Sequence, residues 1–186
     1  NEQLEGELLS GDGEAYGVEF LVRKNTGKLT GWASYTLSRT FRQIDGINGG
    51  EKFPARQDRI HDLSVVLLYQ LSKKVTLSAN FVYYTGDAVT YPVGRYVVDG
   101  NVVPLYQDRN AGRLPANHRL DLGVVLQGKR SKRFESDWVF SLYNAYGREN
   151  AFSINFEPVE DNPTQSQAVK LALFKYVPSV TYNFKF

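Results

Sequence analysis

Large apolar and polar side chains alternate along the segment from Ser179 to Phe186. The apolar positions are Val180, Tyr182, Phe184 and Phe186, and the polar positions between them are Thr181, Asn183 and Lys185. Successive side chains of a β-strand point to opposite faces, so this pattern predicts a strand with one apolar and one polar face. A strand that separates lipid from a polar lumen needs these two faces, and the pattern therefore indicates a membrane-spanning strand.

The same alternation predicts six further strands. Together with the last one, they cover about residues 15–24, 29–42, 60–71, 75–84, 118–128, 135–152 and 168–186. A small hairpin is also predicted, from 95–98 and 102–105 around Asp99-Gly100-Asn101. Apolar residues do not recur at i, i+3, i+4 and i+7 in any segment, so the chain is expected to be all-β and antiparallel.

The connections between these strands alternate in length. Short polar turns are predicted at 25–28, 72–74 and 129–133, and long loops at about 43–59 and 86–117, with a further loop around Asp161-Asn162-Pro163. Bacterial outer-membrane barrels have short periplasmic turns and long extracellular loops. If the last of the seven strands runs toward the periplasm and the directions alternate before it, every short turn lies on the periplasmic side. This is consistent with that topology.

An odd strand number is unusual for a single-chain bacterial barrel. The first strand would begin at the extracellular side, preceded by a loop-like segment from Asn1 to Glu14. The chain also lacks Met, and its acidic first residues show no secretory signal. The expectation is that a signal was cleaved or that these are the last seven strands of a larger barrel.

Composition narrows the class further. The chain has 186 residues, a formal net charge of +2 and no Cys, with 12 Tyr and 11 Phe. The near-balanced charge argues against nucleic-acid binding, and the lack of Cys excludes disulfides and thiolate metal sites. Mean hydropathy is −0.37, and no apolar run approaches the roughly 20 residues of a transmembrane helix. Membrane β-strands are only half apolar, so neither mean hydropathy nor the length of apolar runs detects them.

Five segments resemble a known family. They are Gly31–Thr40 (GWASYTLSRT), Phe53–Leu63 (FPARQDRIHDL), Leu114–Leu122 (LPANHRLDL), Phe140–Asn150 (FSLYNAYGREN) and Pro178–Phe186 (PSVTYNFKF). Each resembles late barrel strands of TonB-dependent outer-membrane receptors, particularly those of Bacteroidetes, and the five occur in the order of that family. The resemblance spans nearly the whole chain.

The resemblance implies a fold and a function. Residues 1–186 would be the C-terminal part of an antiparallel transmembrane β-barrel, about seven strands of a larger, 22-stranded barrel with a plugged lumen. The chain would lie in the outer membrane of a Gram-negative bacterium and form barrel wall and extracellular loops for TonB-dependent ligand import. No plug domain matches these residues. The resemblance implies a transport receptor and no enzyme, without a cofactor or metal.

The resemblance also implies partners. These are the remaining barrel strands and plug of the same receptor, TonB acting through the plug, the barrel-assembly machinery, outer-membrane lipid and a surface lipoprotein. Nucleic acid is not among them.

Candidate functional residues follow from these expectations. Tyr182, Phe184 and Phe186 form a predicted barrel-assembly signal, as the resemblance implies. The long central loop mixes aromatic and charged residues, which is typical of ligand contacts. The candidate ligand-binding residues there are Tyr91, Arg95, Tyr96, Tyr106 and Arg109.

Other polar residues are interpreted structurally. A set comprising Glu19, Arg23, Asp121, Gln127, Asn183 and Lys185 is expected to project into the lumen. His61 and His118 begin two strands that run toward the periplasm. A functional interpretation of the two histidines is a metal pair or an acid–base centre. The favoured interpretation places both at the outer rim, with Asp62 and Asp121 in charge networks facing the lumen. No Ser, His and Asp spacing suggests a catalytic triad.

Two alternative architectures stay open. One is a complete small outer-membrane barrel of about eight strands, an enzyme or an adhesion or binding protein. Its eighth strand would come from Gln3–Ser10 or from the 95–105 hairpin. The other is a soluble barrel of lipocalin type, whose apolar residues would point inward.

Overall fold

The computed structural model describes residues 9–131, 134–159 and 162–186. Within these residues the chain is all-β, with a 3-10 turn at Asn48–Gly50 and no α-helix. In chain order the strands are β1 (Gly11–Lys24), β2 (Leu29–Ile44), β3 (Phe53–Pro54), β4 (His61–Gln70), β5 (Val75–Tyr84), β6 (Ala88–Val89), β7 (Pro92–Val98), β8 (Asn101–Tyr106), β9 (Gly112–Arg113), β10 (Asn117–Ser131), β11 (Phe134–Tyr143), β12 (Ser153–Val159), β13 (Asn162–Leu171) and β14 (Val177–Lys185).

Seven long strands form one antiparallel sheet in the order β1-β2-β4-β5-β10-β11-β14, and β3 pairs with β2 beside this path. Each long strand pairs with the long strand that precedes it in the chain. The seven predicted strands are therefore confirmed. The sheet is open in the described part of the chain: β1 and β14 are its edges, and no closed barrel is formed.

Short turns and long connections lie at opposite ends of this sheet. Residues 25–28 and 71–74 join neighbouring strands at one end, which we call the turn end. Residues 45–60, 85–116 and 144–176 connect strands at the other end, the loop end. The predicted alternation is confirmed there. In the third predicted turn, at 129–133, residues 132 and 133 lie outside the described residues.

The register of all six strand pairs places the predicted apolar positions on one face. Cross-strand partners stand on the same side of a sheet, so a row can be followed from β1 to β14. For example, Phe20 is opposite Tyr35, which is opposite Leu63, which is opposite Tyr83. We call this face the apolar belt. It comprises Val18, Phe20 and Val22; Ala33, Tyr35 and Leu37; Leu63, Val65, Leu67 and Tyr69; Leu77, Ala79, Phe81 and Tyr83; Leu120, Leu122, Val124 and Leu126; Trp138 and Phe140; and Val180, Tyr182 and Phe184.

The opposite face is predominantly polar, and the same register places all six predicted lumen-facing residues on it. Asp121 is opposite Asn80, for instance, and Gln127 lies in one row with Asp137 and Asn183. We call this side the polar face. The two-faced pattern read from the sequence is thus a property of the whole sheet.

The described residues enclose almost no hydrophobic core of their own. The buried apolar residues of the described part are Phe53, Ala55 and Ala88, all from the connections at the loop end. The accessible surface is 13500 Å², whereas a compact monomer of 21.0 kDa exposes about 9,000 Å². Large apolar side chains such as Phe20, Trp138 and Phe184 remain exposed. The sheet therefore presents its apolar belt to the surroundings.

Strands six and seven are shorter than predicted. The predicted strand at 135–152 ends at Tyr143, because Asn144 adopts a positive φ of 55° and starts a turn. The predicted strand at 168–186 begins only at Val177. Residues up to Leu171 instead belong to β13, which forms a separate hairpin with β12. The loop predicted around 161–163 falls within this hairpin, where residue 161 is outside the described residues.

The predicted small hairpin is confirmed as β7 and β8. Asp99 and Gly100 have φ of 49° and 80°, and two consecutive positive φ values are characteristic of the type I′ turn. The hairpin forms its own two-stranded sheet. It therefore does not supply an eighth strand to the main sheet, and the other candidate, Gln3–Ser10, lies almost wholly outside the described residues.

Candidate functional site

A buried carboxylate ties two connections to the end of β2. Asp58 has an exposed fraction of 0%, and its Oδ1 accepts a 2.6 Å hydrogen bond from the backbone N–H of Thr40. Its Oδ2 lies 2.6 Å from Arg113 Nη2 and 3.4 Å from Arg39 Nε. Arg113 also donates to the carbonyl of Gly86 at 2.9 Å. A buried charge requires such partners, so Asp58 fixes the 45–60 and 85–116 connections together.

A second buried polar group holds the last connection. Asn144 is 1% exposed, and its side-chain amide donates to the carbonyls of Arg148, at 2.8 Å, and Lys175. Its backbone N–H donates to Asp121 Oδ1 at 2.9 Å. Asp121 is also paired with Arg119, with Nε 2.9 Å from Oδ1. The charge network expected for Asp121 on the polar face is confirmed.

Arginine and tyrosine side chains repeat along the polar face near the loop end. Arg59 lies over the ring of Tyr84 at 4.3 Å and is 3.9 Å from Asp62 and 3.7 Å from Asp87. Arg119 lies over the ring of Tyr143 at 4.2 Å and donates to its hydroxyl at 2.8 Å. These cation–π and ion-pair contacts order long polar side chains on this face.

The two histidines lie on the other face, at the loop end of the apolar belt. His61 Nδ1 is 2.8 Å from the hydroxyl of Tyr35. His118 Nδ1 is 2.8 Å from the hydroxyl of Tyr146. The ring of His118 stacks on Tyr83 with centroids 6.4 Å apart, and the ring of His61 stacks on Tyr35 in the same way at 6.1 Å. Among the described residues no group of three His, Cys, Asp or Glu side chains is placed to hold a metal ion. The histidines are thus built into Tyr–His pairs.

The structure brings together two of the five predicted ligand-binding residues. Tyr91 and Tyr106 line one cleft of about 430 Å³ with Ile154 and Phe156 of β12. The hydroxyl of Tyr91 donates to the carbonyl of Arg113 at 2.7 Å, and burial raises the pKa of that hydroxyl. The ring of Tyr91 meets Phe156 edge-on at 5.2 Å. The loop aromatics of two connections therefore share one cleft.

The other three predicted residues lie elsewhere. Arg95 donates to Ser166 Oγ at 2.8 Å and joins the two small hairpins, while Tyr96 is exposed on β7. Arg109 lines a different cleft, of about 340 Å³, together with Arg42 and Arg56. Arg42 and Arg56 carry no signal of this grouping in the sequence, because Arg42 lies at the end of β2 and Arg56 in a separate connection. Their joint position follows only from the tertiary arrangement.

The predicted assembly-signal residues form an aromatic row at the turn end of the sheet. Tyr182 is opposite Trp138 with ring centroids 4.7 Å apart, and Phe184 meets Phe186 at 5.5 Å. Phe186 follows β14 and is 86% exposed. Their role in assembly stays a prediction.

Comparison with known proteins leaves the chain without a match: no family model, no curated protein and no solved structure is similar to it. In the described residues no helix is long and apolar enough to cross a membrane.

Proposed function

We propose that this chain is a barrel-wall segment of a TonB-dependent outer-membrane receptor and that its connections at the loop end form part of the extracellular surface for ligand import. In this proposal the apolar belt meets outer-membrane lipid and the polar face meets a lumen that holds a plug. The segment is a transport component without chemistry of its own.

One observation carries the proposal: a single antiparallel sheet has an apolar belt that crosses all seven long strands on one side and a polar face on the other. A water-soluble sheet buries such a belt under a second layer. The described residues provide no second layer over it, since their buried apolar side chains come from the loop end. Hydrocarbon is the environment that such an exposed belt requires.

The height of the apolar belt fits this environment. On β4 it extends from His61 to Tyr69, and these eight steps of about 3.3 Å each span about 26 Å along the strand. A strand tilt of about 40° reduces this to about 20 Å, against an apolar band of about 25 Å in outer-membrane barrels. Tyr35, Tyr83 and Tyr146 at the loop end, and Tyr69, Trp138 and Tyr182 toward the turn end, correspond to the two aromatic girdles of such barrels.

The open edges support a larger barrel. The outer edges of β1 and β14 pair with no strand in the described ranges. Each unpaired backbone group costs several kcal/mol in hydrocarbon, so strands of the remaining receptor would complete both edges. A self-contained eight-stranded barrel is disfavoured by the separate β7–β8 hairpin. A lipocalin-type barrel is disfavoured by the exposed belt, because it would turn these residues inward.

Single-cysteine variants test the orientation of the sheet, and the absence of native Cys from these 186 residues makes each label unique within the segment. Val65→Cys and Leu77→Cys label the apolar belt, and Ser64→Cys and Ser78→Cys label the adjacent positions on the polar face. The labelled protein that contains this segment is reconstituted with nitroxide-bearing lipid. Strong fluorescence quenching at 65 and 77 and weak quenching at 64 and 78 is expected. Equal quenching at all four positions excludes the proposal.

Photo-cross-linking tests the receptor assignment itself. A benzophenone amino acid at Ser141, on the polar face, is expected to cross-link to a plug domain of the same receptor, identified by mass spectrometry. The same group at Phe140, on the apolar belt, serves as the matched control and is expected to reach lipid only. If neither position forms a cross-link to a plug domain, the assignment to a TonB-dependent receptor is wrong. A barrel without a plug would then be the remaining interpretation.

A further inference from the structure

We propose that Arg42, Arg56 and Arg109 form a binding site for a soluble, multiply charged anion bearing phosphate or carboxylate groups. The inference deepens the proposed function, because it names a ligand class for the loop end. It does not depend on transport, since it concerns binding alone.

The three arginines come from three parts of the chain and line one cleft. Arg42 lies at the loop end of β2, Arg56 in the 45–60 connection and Arg109 in the 85–116 connection. Gln57 and Asn110 also line this cleft of about 340 Å³. This volume falls within the range of small-molecule sites. Guanidinium and amide groups together offer many N–H donors and are suited to an oxygen-rich anion.

The positive groups of this cleft form no ion pair within the described part of the chain. The nearby acid Asp58 is occupied by Arg39 and Arg113. None of the three cleft guanidinium groups forms an ion pair or side-chain hydrogen bond with a described residue. Three like charges around a concave surface concentrate positive potential there. A bound anion would relieve this repulsion.

The backbone around the cleft is held in place before any ligand arrives. Asn48 and Arg109 exchange two hydrogen bonds, of 3.1 and 2.8 Å. Asn110 Nδ2 donates to the carbonyl of Pro54 at 2.8 Å, and the carbonyl of Arg56 accepts from Ala88 N–H at 3.0 Å. A fixed frame lowers the entropy cost of binding. The two connections are therefore preorganised beside the arginines.

The register favours a soluble anion over a lipid phosphate. Arg42 follows Phe41 on β2. Phe41 is opposite Glu14 and has the same parity as Leu37, so it lies on the side of the apolar belt. The side chain of Arg42 accordingly belongs to the polar face, away from the surface that would meet lipid. Arginine forks match phosphate and carboxylate in a bidentate manner, so both groups remain within one ligand chemistry.

Isothermal titration of the protein in phosphatidylcholine nanodiscs with pyrophosphate and with citrate tests the site. Saturable binding is expected, and Arg42→Gln, Arg56→Gln or Arg109→Gln should each weaken it about tenfold. Lys170→Gln removes one positive charge from the loop end outside the cleft and should weaken binding less than twofold. Lysine variants at positions 42, 56 and 109 retain the positive charge and the folding. Their loss of anion affinity should lie between the two values given above.

Three results would overturn the inference. The first is that the folded protein binds neither anion, and the second is an equal loss of affinity in Lys170→Gln and in the cleft variants. The third is loss of pyrophosphate binding when the nanodiscs contain phosphatidylglycerol, which would mean that lipid phosphate occupies the cleft. The assay needs neither TonB nor a plug, so failure here leaves the receptor proposal intact, and failure of the receptor proposal leaves this result intact.

Discussion

Asp58 Oδ2 and Arg113 Nη2 are 2.6 Å apart, although the two residues are 55 positions apart in the chain and belong to different connections. Asp58 is fully buried, whereas the Arg113 side chain is 24% exposed. The same carboxylate also accepts from Thr40 N–H on β2. A single acidic group thus fastens the 45–60 and 85–116 connections to the sheet beneath them.

Replacing this carboxylate should loosen the loop end. Asp58→Asn keeps an acceptor for Thr40 but leaves Arg113 and Arg39 without their counter-charge. Breaking a buried ion pair by removing one partner costs about 3 kcal/mol, and we expect a loss of that size in urea unfolding of the detergent-solubilised protein. Hydrogen exchange within 85–116 should accelerate in the same variant.

Asp108→Asn is the matched control for this experiment. Asp108 lies in the 85–116 connection, which Asp58 anchors through Arg113, and is exposed, so the same chemical change should alter stability by less than about 0.5 kcal/mol. Similar losses in Asp58→Asn and Asp108→Asn would contradict a specific role of the buried pair.

The sheet could be predicted from the sequence because its signal is local. Alternation between neighbours, as in Leu63, Val65 and Leu67, already fixes which residues share a face. The end of strand six at Tyr143 could not be predicted in this way. It depends on Asn144, whose left-handed backbone is held by contacts with Asp121 and Lys175. The β12 strand did leave a signal, since Ile154 and Phe156 alternate with polar neighbours.

Gly31 provides a sharp test of the β2–β4 pairing. Its φ is +148°, and a Cβ at this position would collide with the carbonyl oxygen of Val66. Gly31→Ala should therefore destabilise the sheet by about 1–3 kcal/mol, measured as a lower midpoint of urea unfolding. Gly13→Ala is the control, because a Cβ on Gly13 meets no atom within 4 Å. Equal midpoints for the two variants would show that this close approach is absent in solution.

The ion pair between Glu149 and Lys175 should make the last connection sensitive to acid. Lys175 Nζ lies 2.7 Å from Glu149 Oε1, and its hydrogen bond and charge lower the pKa of Glu149 below the ordinary value of 4.5. Because the folded-state pKa is depressed, the stabilisation is complete above the ordinary pKa and is lost as pH falls through the folded value. Carbon-13 NMR titration of the Glu149 carboxyl follows this directly.

Two lysine variants separate the cause of that shift. Lys175→Gln removes the charged hydrogen-bond donor and the larger charge effect on the Glu149 carboxylate, whereas Lys170→Gln removes a weaker charge effect and a hydrogen bond to the Glu149 backbone carbonyl. The pKa of Glu149 should accordingly rise more in Lys175→Gln than in Lys170→Gln. The reverse order would rule out Lys175 as the main cause.

The loop-end site was less predictable than the sheet, for a physical reason. Tyr91, Tyr106 and Arg109 stand out as aromatic and charged residues within one long loop. Arg42 and Arg56 join Arg109 only because the connections fold over the end of β2. Local composition identifies residues suited to a ligand, but their grouping depends on long-range contacts such as the pair between Asn48 and Arg109.

The strongest test of the apolar belt compares two neighbours on β4. Val65 lies in the middle of the belt, between Ala33 and Phe81, while Ser64 lies on the polar face between Ser34 and Val82. In the proposed membrane orientation, Val65→Lys carries a charge into hydrocarbon and should destabilise the lipid-inserted protein by about 2–4 kcal/mol. Ser64→Lys introduces the same charge on the lumen side and should change stability little.

Urea unfolding of both variants in phosphatidylcholine vesicles measures this difference, and folding into detergent micelles of decreasing chain length shows its dependence on hydrocarbon. If the two lysines cost the same, the belt does not face lipid. If Ser64→Lys is the more damaging, the sheet is oriented the other way and the apolar side chains form an interior. A large penalty at position 65 alone is the result expected for a wall that separates lipid from a polar lumen.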